Sequence, residues 1–171
     1  VSILQRGGMG MSEKKKNFGM MTKALHSGWK CDPATGASGL PIYMTSAYQF
    51  RDTDHAARLF SLAEEGHIYS RLSNPTVSAF EEGLNSLEGG SGCVALSSGQ
   101  SAFTHLIAAL CSKGDNVVVS RKIYGGTLTL LQNVFSRFGI ETILVDSDHP
   151  CQVEQAINDG TRGIITETIG N

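Results

Sequence analysis

The chain has 171 residues, which is enough to bury a hydrophobic core in one domain or slightly more. Its 14 Lys and Arg residues nearly balance 16 Asp and Glu residues, and the net charge is −2. This balance, with no basic run interleaved with aromatic residues, argues against a nucleic-acid partner.

The four cysteines indicate the compartment. They lie far apart and form no C-x-x-C pair, unlike zinc sites and dense disulfide frameworks. The N-terminus lacks the apolar core of a signal peptide, and no apolar run is as long as a membrane span. We therefore expect reduced thiols in a cytoplasmic protein, with neither a metal site nor a membrane partner.

Residues 1–62 are predicted to form an N-terminal arm, of which residues 1–17 are either disordered or upstream sequence. Hydrophobic periodicity is weak from residue 11 to residue 50, and residues 32–39 are typical of a loop. Such a long irregular segment is unusual inside a compact domain. It indicates an arm that packs on something else, such as a second subunit.

Two helices are predicted next. Residues 54–65 have apolar side chains along one face, and Gly66 is expected to stop this helix. Thr76 is expected to cap a second helix, which ends at Glu88-Gly89-Gly90.

Tyr69 and Arg71 lie between these helices and form a candidate anion site. They stand two residues apart, so in an extended segment both side chains project to the same side. A phenol and a guanidinium that converge there would clamp a phosphate. The alternative is a surface loop in which Arg71 pairs with any nearby acid.

A strand–turn–helix corner follows at residues 92–102. The sequence predicts a short apolar strand, a Ser97-Ser98-Gly99 turn and a helix that opens at Gln100 or Ser101. The unpaired N–H groups and the dipole of a helix start attract phosphate, and Gly99 allows close approach. Alternatively, Ser97 and Ser98 simply cap the helix.

The rest of the chain alternates strands and helices. Strands are predicted at residues 116–119, 143–145 and 163–167, with helices at residues 127–138 and 151–158 between them. This alternation predicts an α/β fold with a buried parallel sheet. Ligands bind beyond the carboxyl ends of such strands, where four features fall: Ser98-Gly99, Tyr124, Asp146, and Glu167 with Asn171. We assign Asp146 no role.

Tyr124 precedes two glycines, Gly125 and Gly126. An aromatic ring in this context can lie flat over a planar ligand, because the glycines have no side chains to obstruct it. The alternative is that Tyr124 is a hydrophobic staple before a helix and the glycines form a plain turn.

Five motifs occur in order along the chain: Tyr69-Ser70-Arg71-Leu72-Ser73-Asn74-Pro75-Thr76, Leu87-Glu88-Gly89-Gly90, Ser97-Ser98-Gly99-Gln100-Ser101-Ala102, Tyr124-Gly125-Gly126-Thr127 and Glu167-Thr168-Ile169-Gly170-Asn171. Together they resemble the cysteine/methionine-metabolism family of pyridoxal phosphate (PLP) enzymes, whose fold is fold type I, the aspartate-aminotransferase type. The resemblance runs from about Leu25 to the last residue. It implies that residues 63–171 are the first part of a PLP-binding α/β domain that is incomplete at its C-terminus.

The resemblance also implies roles for single residues. Ser98, Gly99 and Gln100 would bind the PLP phosphate, and Tyr124 would stack on its ring. Tyr69 and Arg71 would reach the phosphate of the neighbouring subunit's cofactor. Glu167 and Asn171 would lie near the cofactor ring. These shared sites imply a dimer, and the arm before Tyr48 would embrace partner subunits, usually within a tetramer, so a dimer of dimers is expected.

Within the family, residues 50–71 resemble the O-acetylhomoserine sulfhydrylases, and Gly126 stands where methionine γ-lyases usually carry cysteine. The implied reaction is γ-replacement on O-acetylhomoserine or another O-acylhomoserine, giving homocysteine or methionine. The sulfur donor would be sulfide or a carrier protein with a terminal thiocarboxylate. Methionine γ-lyase and cystathionine γ-synthase or lyase are the alternatives within the family.

One feature departs from the family pattern: the chain ends before the Schiff-base lysine and before the aspartate that faces the pyridine nitrogen. We therefore expect these 171 residues to belong to a longer enzyme and to be inactive alone. The alternative from another class is a non-catalytic fragment that acts only in subunit assembly. A Rossmann-type nucleotide-binding domain is poorly supported, because no G-x-G-x-x-G follows the first strand.

Overall fold

A computed structural model describes residues 18–170 of the chain. These residues fall into two compact units, with the boundary between Ala95 and Leu96. None of the helices in the described part is long and apolar enough to cross a membrane.

The first unit contains three helices, α1 (Met20–His26), α2 (Thr53–Phe60) and α3 (Pro75–Glu88). An isolated antiparallel bridge also pairs Ala47 with Tyr69. The sequence does not predict α1. None of its residues is buried, so its apolar side chains do not line up on one buried face with the helical period.

The chain after α1 lies directly against α3. Gly28 has a φ of +83°, and a Cβ there would overlap the Ala79 carbonyl and lie 2.7 Å from the Gly83 nitrogen. The Ser27 hydroxyl adds a hydrogen bond to the Ser86 hydroxyl at 3.0 Å. Only glycine satisfies both the backbone angle and the close approach at position 28.

Two helix ends differ from the prediction. Helix α2 ends at Phe60 rather than at residue 65, because Leu62 takes a φ of +58° and the N–H of Ala63 turns back to the Arg58 carbonyl. Helix α3 is capped by Asn74 rather than by Thr76, since the Asn74 side chain accepts the Thr76 N–H at 2.9 Å. The end of α3 is confirmed, with Gly89 in the left-handed conformation.

The second unit is an α/β unit built on a three-stranded parallel sheet of order β2-β1-β3, which confirms the predicted fold class. Its elements, in chain order, are α4 (Gly99–Leu110), β1 (Asn116–Ser120), α5 (Gly125–Thr129), β2 (Glu141–Val145), α6 (Pro150–Ala156) and β3 (Thr161–Ile165).

Strand β1 is the centre of this unit. All five of its residues are buried, as expected for a parallel strand that is paired on both edges. Val118 pairs with Ile143 of β2 and Ile164 of β3. The hydrophobic core forms around β1 from α4 and from the segment after α5, and includes Ile107 and Leu131.

The single helix predicted over residues 127–138 is divided in the structure. After α5 the chain forms a π turn at Leu130–Val134 and a 3₁₀ turn at Phe135–Phe138, and it ends at Gly139 with a φ of +76°. The spacing of apolar residues in the sequence does not distinguish these turn types, because each of them can bury the same apolar side chains.

The strand predicted before the Ser97-Ser98-Gly99 corner does not form among the described residues. Residues 93–96 are outside the described sheet, and 77% of the Val94 side chain is exposed. The Ala95 N–H instead donates to the Glu81 carboxylate at 2.7 Å. A strand requires a ladder partner, and an apolar run in the sequence cannot supply that information.

Leu131 provides a test of the core around β1. It is fully buried, so Leu131→Ala is expected to lower the free energy of unfolding by about 2–5 kcal/mol through lost burial and a residual cavity. Val134 lies on the same π turn but is 42% exposed, so Val134→Ala is the matched control and should cost less than about 1 kcal/mol. Urea unfolding of both variants measures the difference, and equal losses would contradict the assignment of the core.

Candidate functional site

Ser98 caps helix α4. Its backbone is extended, with φ −163° and ψ 161°, and its hydroxyl accepts the Ser101 N–H at 3.1 Å. The Ser97 side chain forms no hydrogen bond with any residue from 18 to 170. The capping interpretation is therefore correct for Ser98, and the helix begins at Gly99, one residue before the predicted start.

The first N–H groups of α4 remain available for a ligand. Within the described residues, the N–H groups of Gly99 and Gln100 have no hydrogen-bond acceptor, whereas the next two are bonded to Ser98. A Cβ built on Gly99 meets no atom within 4 Å, so the space beside it is open. Two free donors at the positive end of a 12-residue helix fit a phosphate group.

Gln100 connects this corner to the next helix. Its side-chain amide donates to the Thr127 hydroxyl at 3.0 Å, and Thr127 is 1% exposed. Because Thr127 lies in α5, the hydrogen bond ties the start of α4 to the element that follows Tyr124. The sequence reveals Gln100 as part of a motif but not this side-chain contact.

Tyr124 lies immediately before α5 and is about half exposed. Its carbonyl accepts the N–H groups of Thr127 and Leu128 at 3.0 and 3.2 Å. A Cβ at Gly126 would overlap the edge of the Tyr124 ring, so the glycine provides room for the ring itself. A residue that remains about half exposed suits stacking on a planar ligand better than it suits a buried staple.

Glu167 lies against the backbone of Tyr124. Its carboxylate oxygens accept the Tyr124 N–H at 3.1 and 3.2 Å, so the structure brings these two predicted residues together. Both follow the carboxyl ends of neighbouring strands, β1 and β3, as the sequence predicts. Asn171 lies outside the described residues.

Asp146, which also follows a strand, belongs to a polar loop. The Lys122 ammonium pairs with Asp146 at 3.4 Å and with Asp148. A hydrogen bond from the Asp148 N–H, followed in importance by the Lys122 pair, lowers the pKa of Asp146 below its ordinary value. These exposed contacts account for Asp146 without a ligand.

In the first unit, Arg71 lies over the ring of Tyr69, with the guanidinium carbon 5.2 Å from the ring centroid. The two side chains adjoin through a turn rather than through an extended segment, since the Leu72 N–H bonds to the Tyr69 carbonyl at 2.8 Å. The expected extended geometry is therefore wrong. Arg71 forms no ion pair with an acid in the described residues, so its charge is available to an anion.

Asn74 holds the chain around this pair. Besides capping α3, its amide nitrogen donates to the Tyr43 carbonyl, the Tyr48 hydroxyl and the Ser70 hydroxyl at 2.9, 3.1 and 3.0 Å. The side chain is buried, so these partners replace water. The sequence shows Asn74 only as part of an Asn-Pro break, and nothing local indicates its partners 26 and 31 residues away.

Glu64 fixes the loop that precedes Tyr69. Its two oxygens accept hydrogen bonds from Arg51 at 2.6 Å and from Arg58 at 2.8 Å, and His55 lies 3.5 Å away. The hydrogen bond from Arg58 is the main reason that the pKa of Glu64 is lowered from its ordinary value.

The model of the Cys/Met metabolism PLP-dependent enzyme family matches residues 21–171. The chain is 44% identical over 156 residues to the O-acetyl-L-homoserine sulfhydrylase of Leptospira meyeri, covering 91% of this chain and 35% of that protein. It is 43% identical over 150 residues to the homocysteine synthase of Schizosaccharomyces pombe, covering 88% of this chain and 35% of that protein. The chain thus spans about a third of the length of these relatives.

A solved structure shares the fold. It is described as an O-acetylhomoserine (thiol)-lyase from Campylobacter jejuni that contains a pyridoxyl-lysine phosphate. The TM-score is 0.85 at 41% identity, and the match covers 91% of this chain and 38% of that one.

The cap at Ser98 can be tested against its neighbour. Ser98→Ala removes the acceptor of the Ser101 N–H and is expected to lower the free energy of unfolding by about 1 kcal/mol. Ser97→Ala should change it by no more than about 0.5 kcal/mol, because this side chain has no such partner. Urea titrations without cofactor make the comparison, and a larger loss for Ser97→Ala would refute the assigned cap.

Glu64 should contribute to the acid sensitivity of the fold. Because folding lowers the pKa of Glu64 from its ordinary value of 4.5, its stabilisation is present above that value and is lost as the pH falls through the lower folded pKa. Between about pH 5 and about pH 3, the thermal midpoint of Glu64→Gln should therefore fall less than that of the wild type. Glu65→Gln, which removes a neighbouring carboxylate outside these ion pairs, should retain the wild-type slope.

Proposed function

Because the chain belongs to the Cys/Met metabolism family of PLP-dependent enzymes, we propose that the whole protein carrying it is an O-acetylhomoserine sulfhydrylase. The proposed reaction is γ-replacement: acetate leaves the γ-carbon of O-acetylhomoserine, and a sulfur nucleophile bonds to that carbon. Sulfide would give homocysteine, and methanethiol would give methionine. The identity of 44% to an O-acetyl-L-homoserine sulfhydrylase favours this substrate class.

The start of α4 is the observation that carries the cofactor assignment. The free N–H groups of Gly99 and Gln100 and the open space at Gly99 fit the phosphate of PLP. Tyr124, in the same unit, presents a half-exposed ring, which fits the pyridine ring. When bound, PLP supplies the electron sink that bond cleavage at the γ-carbon requires.

The residues of this chain would bind and orient the cofactor. The α4 donors would fix the phosphate end, and the Tyr124 face would restrict the tilt of the ring and exclude water from one side. Glu167 and Asn171 are proposed to lie near the ring, and Ser98 is proposed to support the phosphate corner by capping α4.

Tyr69 and Arg71 are proposed to hold the cofactor phosphate of a neighbouring subunit. Arg71 has no acidic partner in the described residues and lies over the Tyr69 ring, so the pair presents an uncompensated guanidinium and a phenol. We accordingly propose a homo-oligomer with shared sites, a dimer of dimers, in which residues 1–62 act as an arm on a partner subunit.

Two further features belong to the proposal. The compartment is proposed to be the cytoplasm, which the four free cysteines support because Cys31 and Cys151 are exposed thiols. The sulfur donor is proposed to be sulfide or a carrier protein with a terminal thiocarboxylate, and assays with each donor would separate them.

The proposed reaction predicts matched products. With O-acetylhomoserine and sulfide, the whole protein loaded with PLP should release acetate and homocysteine in equal amounts.

Arg71→Ala should weaken PLP binding by about 10- to 100-fold, the range for losing hydrogen bonds to a charged group, whereas Arg137→Ala, at an exposed position, should not change it. The measurements are chromatography of products and titration of PLP absorbance.

Controls separate the related activities. O-succinylhomoserine tests the acyl preference, and methionine tests elimination to 2-oxobutyrate, ammonia and methanethiol. Elimination from methionine without homocysteine synthesis would replace the proposed activity by that of a lyase.

A further inference from the structure

We propose that Glu167 is a positioning residue that fixes the Tyr124 ring by accepting the Tyr124 backbone N–H. Its effect on cofactor binding is then indirect and passes through Tyr124. The inference rests on the proposed function only where it concerns the cofactor. The contact itself is a property of the second unit.

The Tyr124 N–H has no partner of its own in helix α5. Tyr124 is the residue before the first turn, where N–H groups lack intrahelical acceptors. Glu167 satisfies this donor with both carboxylate oxygens, at 3.1 and 3.2 Å. Both oxygens lie within hydrogen-bonding distance of the same N–H, so either one can accept it.

The segment that carries Glu167 is held beside Tyr124 at a second point. A Cβ on Gly170 would overlap the carbonyl oxygen of Lys122, so residue 170 lies directly against the backbone two residues before Tyr124. The connection through the sheet is also short, because β1 and β3 are hydrogen-bonded neighbours.

The opposite side of Tyr124 is fixed as well. Its carbonyl accepts N–H groups from Thr127 and Leu128, and its ring lies so close to Gly126 that no Cβ fits there. With the carbonyl and the ring edge already restrained, the N–H is the remaining backbone group, and Glu167 restrains it. Loss of this acceptor would leave the backbone at Tyr124 held at its carbonyl alone, and the tilt of the ring would become less well fixed.

An acceptor role and a charge role make different predictions for the same position. Glu167→Gln removes the charge but keeps a carbonyl oxygen at the same reach, so it should preserve the contact. Glu167→Ala removes the acceptor entirely. If the carboxylate instead acts by its charge on the cofactor, the two variants should be equally impaired.

Amide hydrogen exchange in the cofactor-free whole protein tests the contact directly. Glu167→Ala should make the Tyr124 amide exchange at least about tenfold faster, the effect of losing a hydrogen bond to a charged group. Glu167→Gln should stay within about threefold of the wild type, as expected for the weaker neutral hydrogen bond. The exposed neighbour Thr168→Ala should match the wild type. Unchanged exchange in Glu167→Ala would overturn the proposal.

The consequence for the cofactor is tested with PLP bound. Glu167→Ala should reduce the visible circular dichroism of bound PLP, and Glu167→Gln should restore it, with thermal midpoints showing that both variants fold. Equal loss in both variants would overturn the positioning role in favour of a charge role. If the wild type binds PLP but makes no homocysteine, the proposed sulfhydrylase activity fails, whereas the exchange result still decides the role of Glu167.

Discussion

The pairing of β1 with β2 on one edge and β3 on the other is the constraint on which the candidate site depends. Because all three strands run parallel, their carboxyl ends meet at one edge of the sheet. Segments that are 43 residues apart in sequence, at Tyr124 and Glu167, are therefore adjacent. The two polar ends of β1 pin its register, because buried Asn116 bonds to Asn158 and Thr161, and buried Ser120 bonds to Ser147.

In each unit the candidate residues are held by a network of hydrogen bonds, although the kind of network differs. In the second unit, strand ends and helix starts present backbone donors, and a buried Thr127 links two helices through Gln100. The described part of the first unit has an isolated bridge instead of a sheet, and side chains hold its turns in place. Asn74 and Glu64 hold the turns on either side of Tyr69. Side-chain networks of this kind specify a loop where no ladder is present.

Features with local causes could be predicted from the sequence, and features with distant partners could not. Gly89 and Gly139 mark helix ends because a left-handed residue is a local requirement. The residues after β1 and β3 were predicted at the sheet edge because alternating strands and helices imply it. The unpaired segment at residues 93–96 and the partners of Asn74 were missed, because both depend on which remote groups come within reach.

The contact between Gly126 and the Tyr124 ring limits how this corner can differ between relatives. Since the Tyr124 ring occupies the volume of a side chain at position 126, a residue larger than glycine there is incompatible with the present angle of the ring. A relative that gains a side chain at this point must therefore place its aromatic ring at another angle. A single substitution at position 126 can thus change the angle of the ring between branches of one family while the tyrosine itself is kept.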